Sequence, residues 1–291
     1  MPAQNRPDAT SKLIQLLTPY HVPQLEMDRW GPGRDGGYVV PVQLLRKTTL
    51  LVTGGVCDDV QFEEVMAREN PGVRIGLFDH TITKIPSHTP ATAVWHKMGL
   101  GSADGCIPLE SAVTLCGGDD TERLVVKLDI ENAEWDVIEN TPADFWRRVD
   151  VFIIEIHGLG DSEKYAEYNR ILDKLNQHLL LVHVHGNNFS RPIRLKSEGV
   201  EIPVTMEATY INRSLIPEGM FPKAWRSSGP TKHDRKNNET LPDIRLNYWM
   251  VFMEPFTRQW VRAVTMLYPW RLKKNIGLNW TLLGRRFGRS N

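Results

Sequence analysis

The stretch KLDIENAEW, residues 127–135, joins an apolar strand to the start of a helix. The strand is predicted over Arg123–Ile130, and its apolar run ends in the acids Asp129 and Glu131. Parallel strands that are buried on both faces read as continuous apolar runs, and ligands bind where such strands end. The stretch therefore predicts an α/β protein whose functional edge includes Asp129.

Strand-like and helical segments alternate on both sides of this stretch, which is typical of βαβ units and a mostly parallel sheet. The predicted strands are Thr48–Val56, Val73–His80, Thr92–Gly99, Arg123–Ile130, Val149–His157, Leu179–His185 and Val204–Ile211. The predicted helices are Gln61–Glu69, Ala133–Glu139 and Ser162–His178. No clear helix separates the last two strands. We therefore expect one doubly wound, seven-stranded sheet whose last strand is antiparallel.

Composition limits the class of protein. The chain has 291 residues and 41% apolar content, which is enough for a large buried core. Basic and acidic residues number 35 each, so the net charge indicates no particular partner. The three cysteines lack CxxC spacing, the N-terminus has no apolar signal core, and no apolar run is long enough to span a membrane. We therefore expect a cytoplasmic protein.

Polarity and charge change towards the C-terminus. We assign residues 1–225 to the α/β domain with an N-terminal extension, 226–243 to a polar mobile loop or linker, and 244–291 to a basic, aromatic, helical tail. The basic residues from position 258 onward are Arg258, Arg262, Arg271, Lys273, Lys274, Arg285, Arg286 and Arg289. With three tryptophans and no acid among them, they suit the anionic inner face of the plasma membrane. A helix packed on the domain with a solvated basic face is an equal alternative. Nucleic acid is not expected, because the rest of the chain offers no matching basic surface.

Glycines and acids that follow the first two predicted strands indicate a ligand site. Gly54 and Gly55 would let a ligand approach the backbone closely. Asp79 follows about 25 residues later, near the spacing at which an acid accepts hydrogen bonds from a ribose; the alternative is that it caps a turn. The absence of GxGxxG and GxxxxGK[ST] patterns disfavours nicotinamide, flavin and ATP sites. A nucleoside without a chain of phosphates remains, and S-adenosylmethionine is the obvious member of that class.

Short motifs from residue 26 to residue 211 occur in a recognisable order. They are RWGPGRDGGYVV (29–40), GVCDDVQFE (55–63), FDHT (78–81), LGSADG (100–105), KLDIENAEW (127–135), EIH (155–157) and HVHGNN (183–188). Together they resemble the FkbM-type, methyltransferase-like family of S-adenosylmethionine-dependent methyltransferases. The resemblance implies a class I methyltransferase (Rossmann-like) fold and methylation of hydroxyl groups, often on sugars.

The resemblance also implies positions for the cofactor and shows two departures. The implied cofactor-binding residues are Gly54, Gly55, Asp59, Asp79, Leu100 and Asp129, with the adenine near the loop 100–104. Asn132 stands where the family usually has glycine, and it too tolerates a left-handed backbone. Ser102 stands where an acid is common, which leaves the adenine contact open.

Polar residues gather at the ends of the central predicted strands. Methyl transfer to a hydroxyl needs a group that removes the proton, or a metal that acidifies the hydroxyl. The expected catalytic residues are Asp129, Glu155, His157 and His185, and the same four are candidate ligands for Mg²⁺, Mn²⁺ or Zn²⁺. A metal-free histidine or glutamate base and a purely structural polar network remain alternatives.

Four neighbouring residues have secondary assignments. Glu131 and Glu134 are either acids of the site or ordinary acids of a helix start, and His183 is read as a satisfied core histidine. Glu207 lies towards the same edge if the last strand is antiparallel.

Together these features predict an O-methyltransferase that acts on a sugar hydroxyl of a bacterial surface polysaccharide or glycolipid. A natural-product O- or N-methyltransferase acting on small molecules is one alternative. A non-catalytic binding module with the same fold is another. The sequence does not determine the oligomeric state.

Overall fold

The computed structural model describes residues 8–119, 123–195, 200–216, 223–224 and 231–246. All of them belong to one compact unit, Met1–Trp249. The helices are α1 Ala9–Leu16, α2 Val42–Leu45, α3 Gln61–Glu69, α4 Leu109–Leu115, α5 Glu134–Asn140 and α6 Tyr165–Leu175, with 3₁₀ turns at Ala143–Arg148, Ser162–Lys164 and Arg213–Leu215. The strands are β1 Tyr20–His21, β2 Met27–Trp30, β3 Tyr38–Pro41, β4 Leu50–Gly54, β5 Arg74–Phe78, β6 Ala93–His96, β7 Gly99–Leu100, β8 Cys106–Ile107, β9 Leu124–Leu128, β10 Val149–Ile156, β11 Leu179–Gly186, β12 Ile193–Leu195, β13 Val200–Ile202, β14 Met206–Asn212 and β15 Lys223–Ala224.

Seven strands form the central sheet in the order β11-β14-β10-β9-β4-β5-β6. All neighbouring pairs from β10 to β6 are parallel, whereas β14 is antiparallel to both β10 and β11. The doubly wound, mostly parallel sheet with an antiparallel last strand is confirmed. Each predicted strand and each predicted helix is present at its expected place in the chain.

The central strands end level with one another. Gly54 at the end of β4 lies opposite Leu128 of β9 and Phe78 of β5, and Leu128 lies opposite Ile154 of β10. All five residues of β4 and of β9 are buried, as continuous apolar strands covered on both faces require. The next residues along each strand therefore reach one edge of the sheet together.

A β-hairpin before the sheet, β2 paired with β3, lies over part of this edge. The Thr209 hydroxyl of β14 donates a hydrogen bond to the Val39 carbonyl of β3, at 2.8 Å. The hairpin carries the RWGPGRDGGYVV motif, and its packing on β14 brings Tyr38 and Asp35 to the strand ends. This hairpin is not among the strands predicted from the sequence.

Residues 231–246 also pack on the sheet. Asp234, Asn237 and Leu246 are buried, and Asp234 accepts a hydrogen bond from His183 of β11, at 2.9 Å. Residues 231–243 contain neither helix nor strand, in line with the predicted loop, but their polar side chains pair with buried partners, so this part of the segment is not a free linker. Positions 226–230, and the predicted helical tail from residue 247 onward, lie outside the described residues.

Within the described ranges, none of the helices is long and apolar enough to cross a membrane.

Candidate functional site at the strand ends

The turn after β9 has a strained backbone. Glu131 and Asn132 both adopt positive φ, 54° and 80°, before α5 begins at Glu134. Asn132 thus takes the left-handed conformation that the sequence allowed for it. Such residues cost roughly 1–3 kcal/mol each and persist where the surroundings hold them in place. The consequence of this turn is that Glu134 points inward and is fully buried.

Glu134 holds His157, the residue that follows β10. Its Oε1 lies 2.5 Å from His157 Nδ1 and accepts the His157 backbone N–H at 2.9 Å. Burial alone lowers the pKa of His157, but the hydrogen bond and charge of Glu134 outweigh it, so the pKa is raised. From its place at a helix start Glu134 has two possible roles, and its burial beneath His157 identifies it as part of the site. Trp135 completes the arrangement by donating to the His157 carbonyl at 2.9 Å.

Asp129, at the end of β9, contacts the hairpin. The Tyr38 hydroxyl donates to Asp129 Oδ2 at 3.0 Å. Burial, followed by the charge of Asp129, raises the pKa of Tyr38, so the hydroxyl keeps its proton and remains a donor. Below it, Lys127 Nζ lies 5.4 Å from the centre of the Tyr38 ring and 3.4 Å from Glu63. These contacts hold one oxygen of Asp129 in place.

Carboxylates crowd the neighbouring strands. Glu155 of β10 lies opposite Glu207 of β14, and both are buried. Asn187 donates to Glu155 Oε1 at 2.6 Å. Asn237 bridges Glu207 Oε1, at 2.6 Å, and Asp35 Oδ1, at 2.8 Å. Burial and the charges of Asp129 and Glu207 raise the pKa of Glu155 to about 10. The position of Glu207 confirms the expectation for an antiparallel last strand.

Three of the four expected catalytic and metal residues come together. One ligand atom each from Asp129, Glu155 and His157 lies within 4.8 Å of the other two. This cluster can accept a proton, bind a hydroxyl or hold a cation.

His185, the fourth, is not part of this cluster. Its Nδ1 donates to Glu207 at 3.2 Å and its Nε2 to Asp243 at 3.1 Å. Burial alone would lower the pKa of His185, but these two carboxylates raise it to about 10. Both ring nitrogens are engaged, so the expected role as metal ligand or base is not what the structure shows. His185 orients Glu207 instead. The reading of His183 as a satisfied core histidine is confirmed by its bond to Asp234.

The expected cofactor side is built differently. Asp79 Oδ2 accepts the backbone N–H groups of Val56 and Cys57, at 3.0 and 2.9 Å. Its Oδ1 accepts the N–H and the hydroxyl of Thr81, at 2.8 and 2.6 Å. Burial by itself raises the pKa of Asp79, but these four bonds lower it to about 2. Asp79 therefore shapes the loop after β4, and no acceptor site is left free for a ribose in this structure.

The glycines of that loop are explained by packing within the chain. Gly55 has φ +80°, and a Cβ there would lie 1.7 Å from the Asp129 carbonyl oxygen. A Cβ on Gly54 would lie 2.8 Å from Leu100, which is buried beside it. Asp59 accepts two hydrogen bonds from Gln61 at the start of α3. The loop is thus closely fitted to the strand that carries Asp129.

The LGSADG loop is held by an acid from another element. Asp136 of α5 accepts the Ser102 backbone N–H and the Ser102 hydroxyl, both at 2.7 Å. Asp136 therefore places a carboxylate against this loop. Spacing along the chain could not indicate the contact, because 34 residues separate the two.

Arg29 of the hairpin supports its own loop. It donates through Nε to the Pro32 carbonyl at 3.1 Å and through Nη2 to the Arg34 carbonyl. Its buried Nη1 has no hydrogen-bond partner among the described residues and lies 4.0 Å from Glu207. Asp35, in the loop of the same hairpin, accepts hydrogen bonds from Asn187 and Asn237.

The topology and the strand-end site together define a Rossmann-like α/β fold of the class I methyltransferase type. No family model matches the sequence, and no curated protein matches it. The resemblance to the FkbM-type family therefore stays a prediction.

Solved structures give distant matches. A precorrin-6y C5,15-methyltransferase from Geobacter metallireducens is 11% identical over 59% of this chain and 86% of its own, with a TM-score of 0.32. A predicted O-methyltransferase from Agrobacterium tumefaciens is 12% identical over 60% of this chain and 81% of its own, with a TM-score of 0.30. The pyocyanin biosynthetic protein PhzM is 8% identical over 58% of this chain and 51% of its own, with a TM-score of 0.24. These scores carry no argument about function, which has to rest on the site.

Proposed function

We propose that this protein is an S-adenosylmethionine-dependent O-methyltransferase acting on a sugar hydroxyl of a bacterial surface polysaccharide or glycolipid. The observation that carries the proposal is the cluster of Asp129, Glu155 and His157 directly beside the loop that follows β4. In open α/β sheets this is the edge where ligands bind. A methyl donor on the loop and an acceptor on the cluster would then be neighbours.

The cofactor would lie along the loop 55–59 and beside Leu100, where it supplies an electrophilic methyl group. Asp79 supports this site by fixing the Val56 and Cys57 amides in place. It would act on the loop backbone, because its own acceptor positions are used. Asp59 stays a proposed contact, since its two bonds to Gln61 leave lone pairs on both oxygens.

The acceptor side favours a hydroxyl-rich substrate. Carboxylate and amide groups gather on this side, and such groups hydrogen-bond to several hydroxyls at once. They belong to Asp35, Glu155, Glu207, Asn187 and Asn237. Asp129 and His157, which lie close together, would receive the proton that a hydroxyl loses on methylation. Sugar hydroxyls match this donor and acceptor set better than an apolar small molecule does.

The test is methyl transfer from S-adenosylmethionine labelled in its methyl group. Acceptor panels would contain purified bacterial polysaccharides, glycolipids and small phenols and amines, and cofactor binding would be followed separately by calorimetry. We expect label in the glycan fraction and a roughly 100- to 10,000-fold lower rate in Asp129→Asn, the range for loss of acid–base catalysis. Asp144→Asn, whose side chain is 82% exposed at a 3₁₀ turn, is the matched control and should keep the rate.

The outcomes separate the alternatives. Label only in small molecules would replace the glycan substrate with a natural product. Cofactor binding without transfer to any acceptor would favour a binding module. Failure of the full chain to bind S-adenosylmethionine would overturn the proposal.

We further propose a cytoplasmic enzyme whose tail contacts the inner face of the plasma membrane, on the strength of its sequence composition. Flotation of the full chain with vesicles containing phosphatidylglycerol, compared with vesicles of phosphatidylcholine alone, tests this contact. Binding to the anionic vesicles is expected and should weaken in salt. Equal behaviour with both vesicles would rule it out.

A further inference from the structure

We infer that Asp129, Glu155 and His157 form a binding site for one divalent metal ion. The inference starts from their geometry, since one ligand atom from each lies within 4.8 Å of the others. The three residues come from the ends of two adjacent parallel strands, β9 and β10, so the sheet itself sets their spacing. It deepens the proposed function, because the ion would sit where the acceptor hydroxyl is expected.

Each of the three side chains has one atom anchored and another available. Tyr38 holds Oδ2 of Asp129, and Asn187 holds Oε1 of Glu155. Oδ1 of Asp129 and Oε2 of Glu155 accept no hydrogen bond from the part of the chain that the structure describes. Glu155 is only 6% exposed, and its second oxygen is left for a partner from outside the described chain.

His157 has the arrangement of a metal-ligating histidine. Fully buried Glu134 binds Nδ1, which fixes the ring and directs Nε2 away from Glu134. A carboxylate behind the histidine is the common second-layer partner of protein metal ligands, and it raises the basicity of the coordinating nitrogen. Glu131, 84% exposed, approaches Nε2 at 3.5 Å and could join the ion from the solvent side.

Charge in the surroundings favours a cation. Asp35 and Glu207 add two more carboxylates around the cluster, each bridged by Asn237. Two positive groups nearby act on Glu207: His185 lies between Glu207 and Asp243, and Arg29 Nη1 lies 4.0 Å from Glu207. A divalent ion bound by Asp129 and Glu155 would offset the repulsion between those two carboxylates directly.

The ligand set points to the kind of ion. Two carboxylates and one imidazole suit Mn²⁺ and Zn²⁺, whereas Mg²⁺ prefers an all-oxygen octahedron that keeps several waters. We expect Zn²⁺ to bind more tightly than Mn²⁺, in the usual order for such sites, and Mg²⁺ to bind least tightly.

The experiment is calorimetric titration of the metal-free full chain with MnCl₂, ZnCl₂ and MgCl₂, without cofactor or acceptor. One ion per chain is expected. Asp129→Asn, Glu155→Gln and His157→Gln should each lower the affinity for Mn²⁺ at least ~100-fold, and Glu134→Gln roughly 10- to 100-fold, as loss of a second-layer partner does. Asp144→Asn should bind as the unaltered chain does. Thermal unfolding in a chelator checks that each variant is folded, and the amide at position 155 retains the bond to Asn187.

Two results would overturn the inference: no saturable binding of any of the three ions, or saturable binding that Glu155→Gln and His157→Gln leave unchanged. Methyl transfer is measured separately, so the two proposals fail independently. Full transfer activity in a chelator would remove the metal and keep the methyltransferase. One bound ion in a chain that does not bind S-adenosylmethionine would keep the metal site and overturn the proposed methyltransferase function.

Discussion

Two buried acids at the same edge of the sheet have opposite properties. Asp79, after β5, accepts four hydrogen bonds from the chain, and its pKa falls to about 2. Glu155, in β10, accepts one from Asn187 and faces other carboxylates, and its pKa rises to about 10. The chain itself satisfies Asp79 and the loop after β4, which together form the completed half of the edge. Glu155 and the carboxylates that it faces form the crowded half, which only a proton, a cation or a ligand from outside can satisfy.

The largest effect should come from the junction of the two halves. Gly55→Ala places a Cβ 1.7 Å from the Asp129 carbonyl oxygen at φ +80°. We expect the free energy of unfolding to fall by on the order of 4 kcal/mol, from the left-handed backbone and the forced separation of loop and strand. That corresponds to a melting temperature lower by roughly 10 °C. Gly33→Ala is the control, since an added Cβ there meets nothing within 4 Å; equal melting of the two variants would contradict the close fit of the loop to β9.

His185→Gln should have the next largest effect. The imidazolium lies between Glu207 and Asp243, and an uncharged amide leaves one of these carboxylates uncompensated. We expect a loss of about 3 kcal/mol in denaturant unfolding near pH 6. Because the folded pKa is raised from 6.5 to about 10, the stabilisation by His185 is fully present below pH 6.5 and is lost as the pH rises through 10. The difference in free energy of unfolding between the variant and the unaltered chain should shrink over that pH range. A difference that stays constant would argue against a charged His185.

Asp79→Asn tests the completed half. An amide offers one acceptor oxygen where the carboxylate serves four donors, so N–H groups of Val56, Cys57 or Thr81 lose their partner. We expect a loss of about 2 kcal/mol at pH 7. The lowered pKa means that the stabilisation is present above pH 3.8 and is lost as the pH falls through about 2. Urea unfolding at pH 7 measures the loss of stability, and urea unfolding near pH 2 tests whether that loss disappears. The control Asp144→Asn should show no loss at either pH.

The same change of acid to amide at Glu155, in the crowded half, should raise the free energy of unfolding instead of lowering it. Glu155→Gln keeps the acceptor for Asn187 and replaces a carboxyl that must take up a proton to stay buried beside Asp129 and Glu207. In a chelating buffer at pH 7 we expect about 1 kcal/mol of stabilisation. The folded pKa is raised from 4.5 to about 10, so stability from protonated Glu155 is lost as the pH rises across that range, and the advantage of the variant should grow. Destabilisation at every pH would show that the two halves do not differ in this way.

The sequence predicted most of the fold and part of the site. The apolar strands and their order could be read because a fully buried parallel strand has a local signature, as Leu124–Leu128 does. The grouping of Asp129, Glu155 and His157 also followed, since adjacent parallel strands end at one edge. Glu134 stands in the first turn of α5, as one of its two predicted roles requires, but its burial beneath His157 could not be read, because an acid at such a position has an ordinary explanation in solvent.

Long-range contacts account for the remaining differences. His185 was read as a ligand because its partner Asp243 is 58 residues away, in a segment whose polar composition resembled a linker. Asp79 was read as a ribose contact because the bonds from Val56 and Cys57 depend on how the loop after β4 folds back. A side chain's pairing cannot be read from its spacing when the partner comes from another element.

The sequence by itself determined the α/β class, the succession of strands along the chain and the edge at which the acids meet, because apolar runs and chain connectivity are local properties. Tertiary structure alone decided which acids are satisfied and which are not. That outcome depends on strand register, on the strained turn at Glu131 and Asn132, and on the packing of residues 231–246. In KLDIENAEW these factors placed Asp129 at the open cluster and turned Glu134 inward to hold His157.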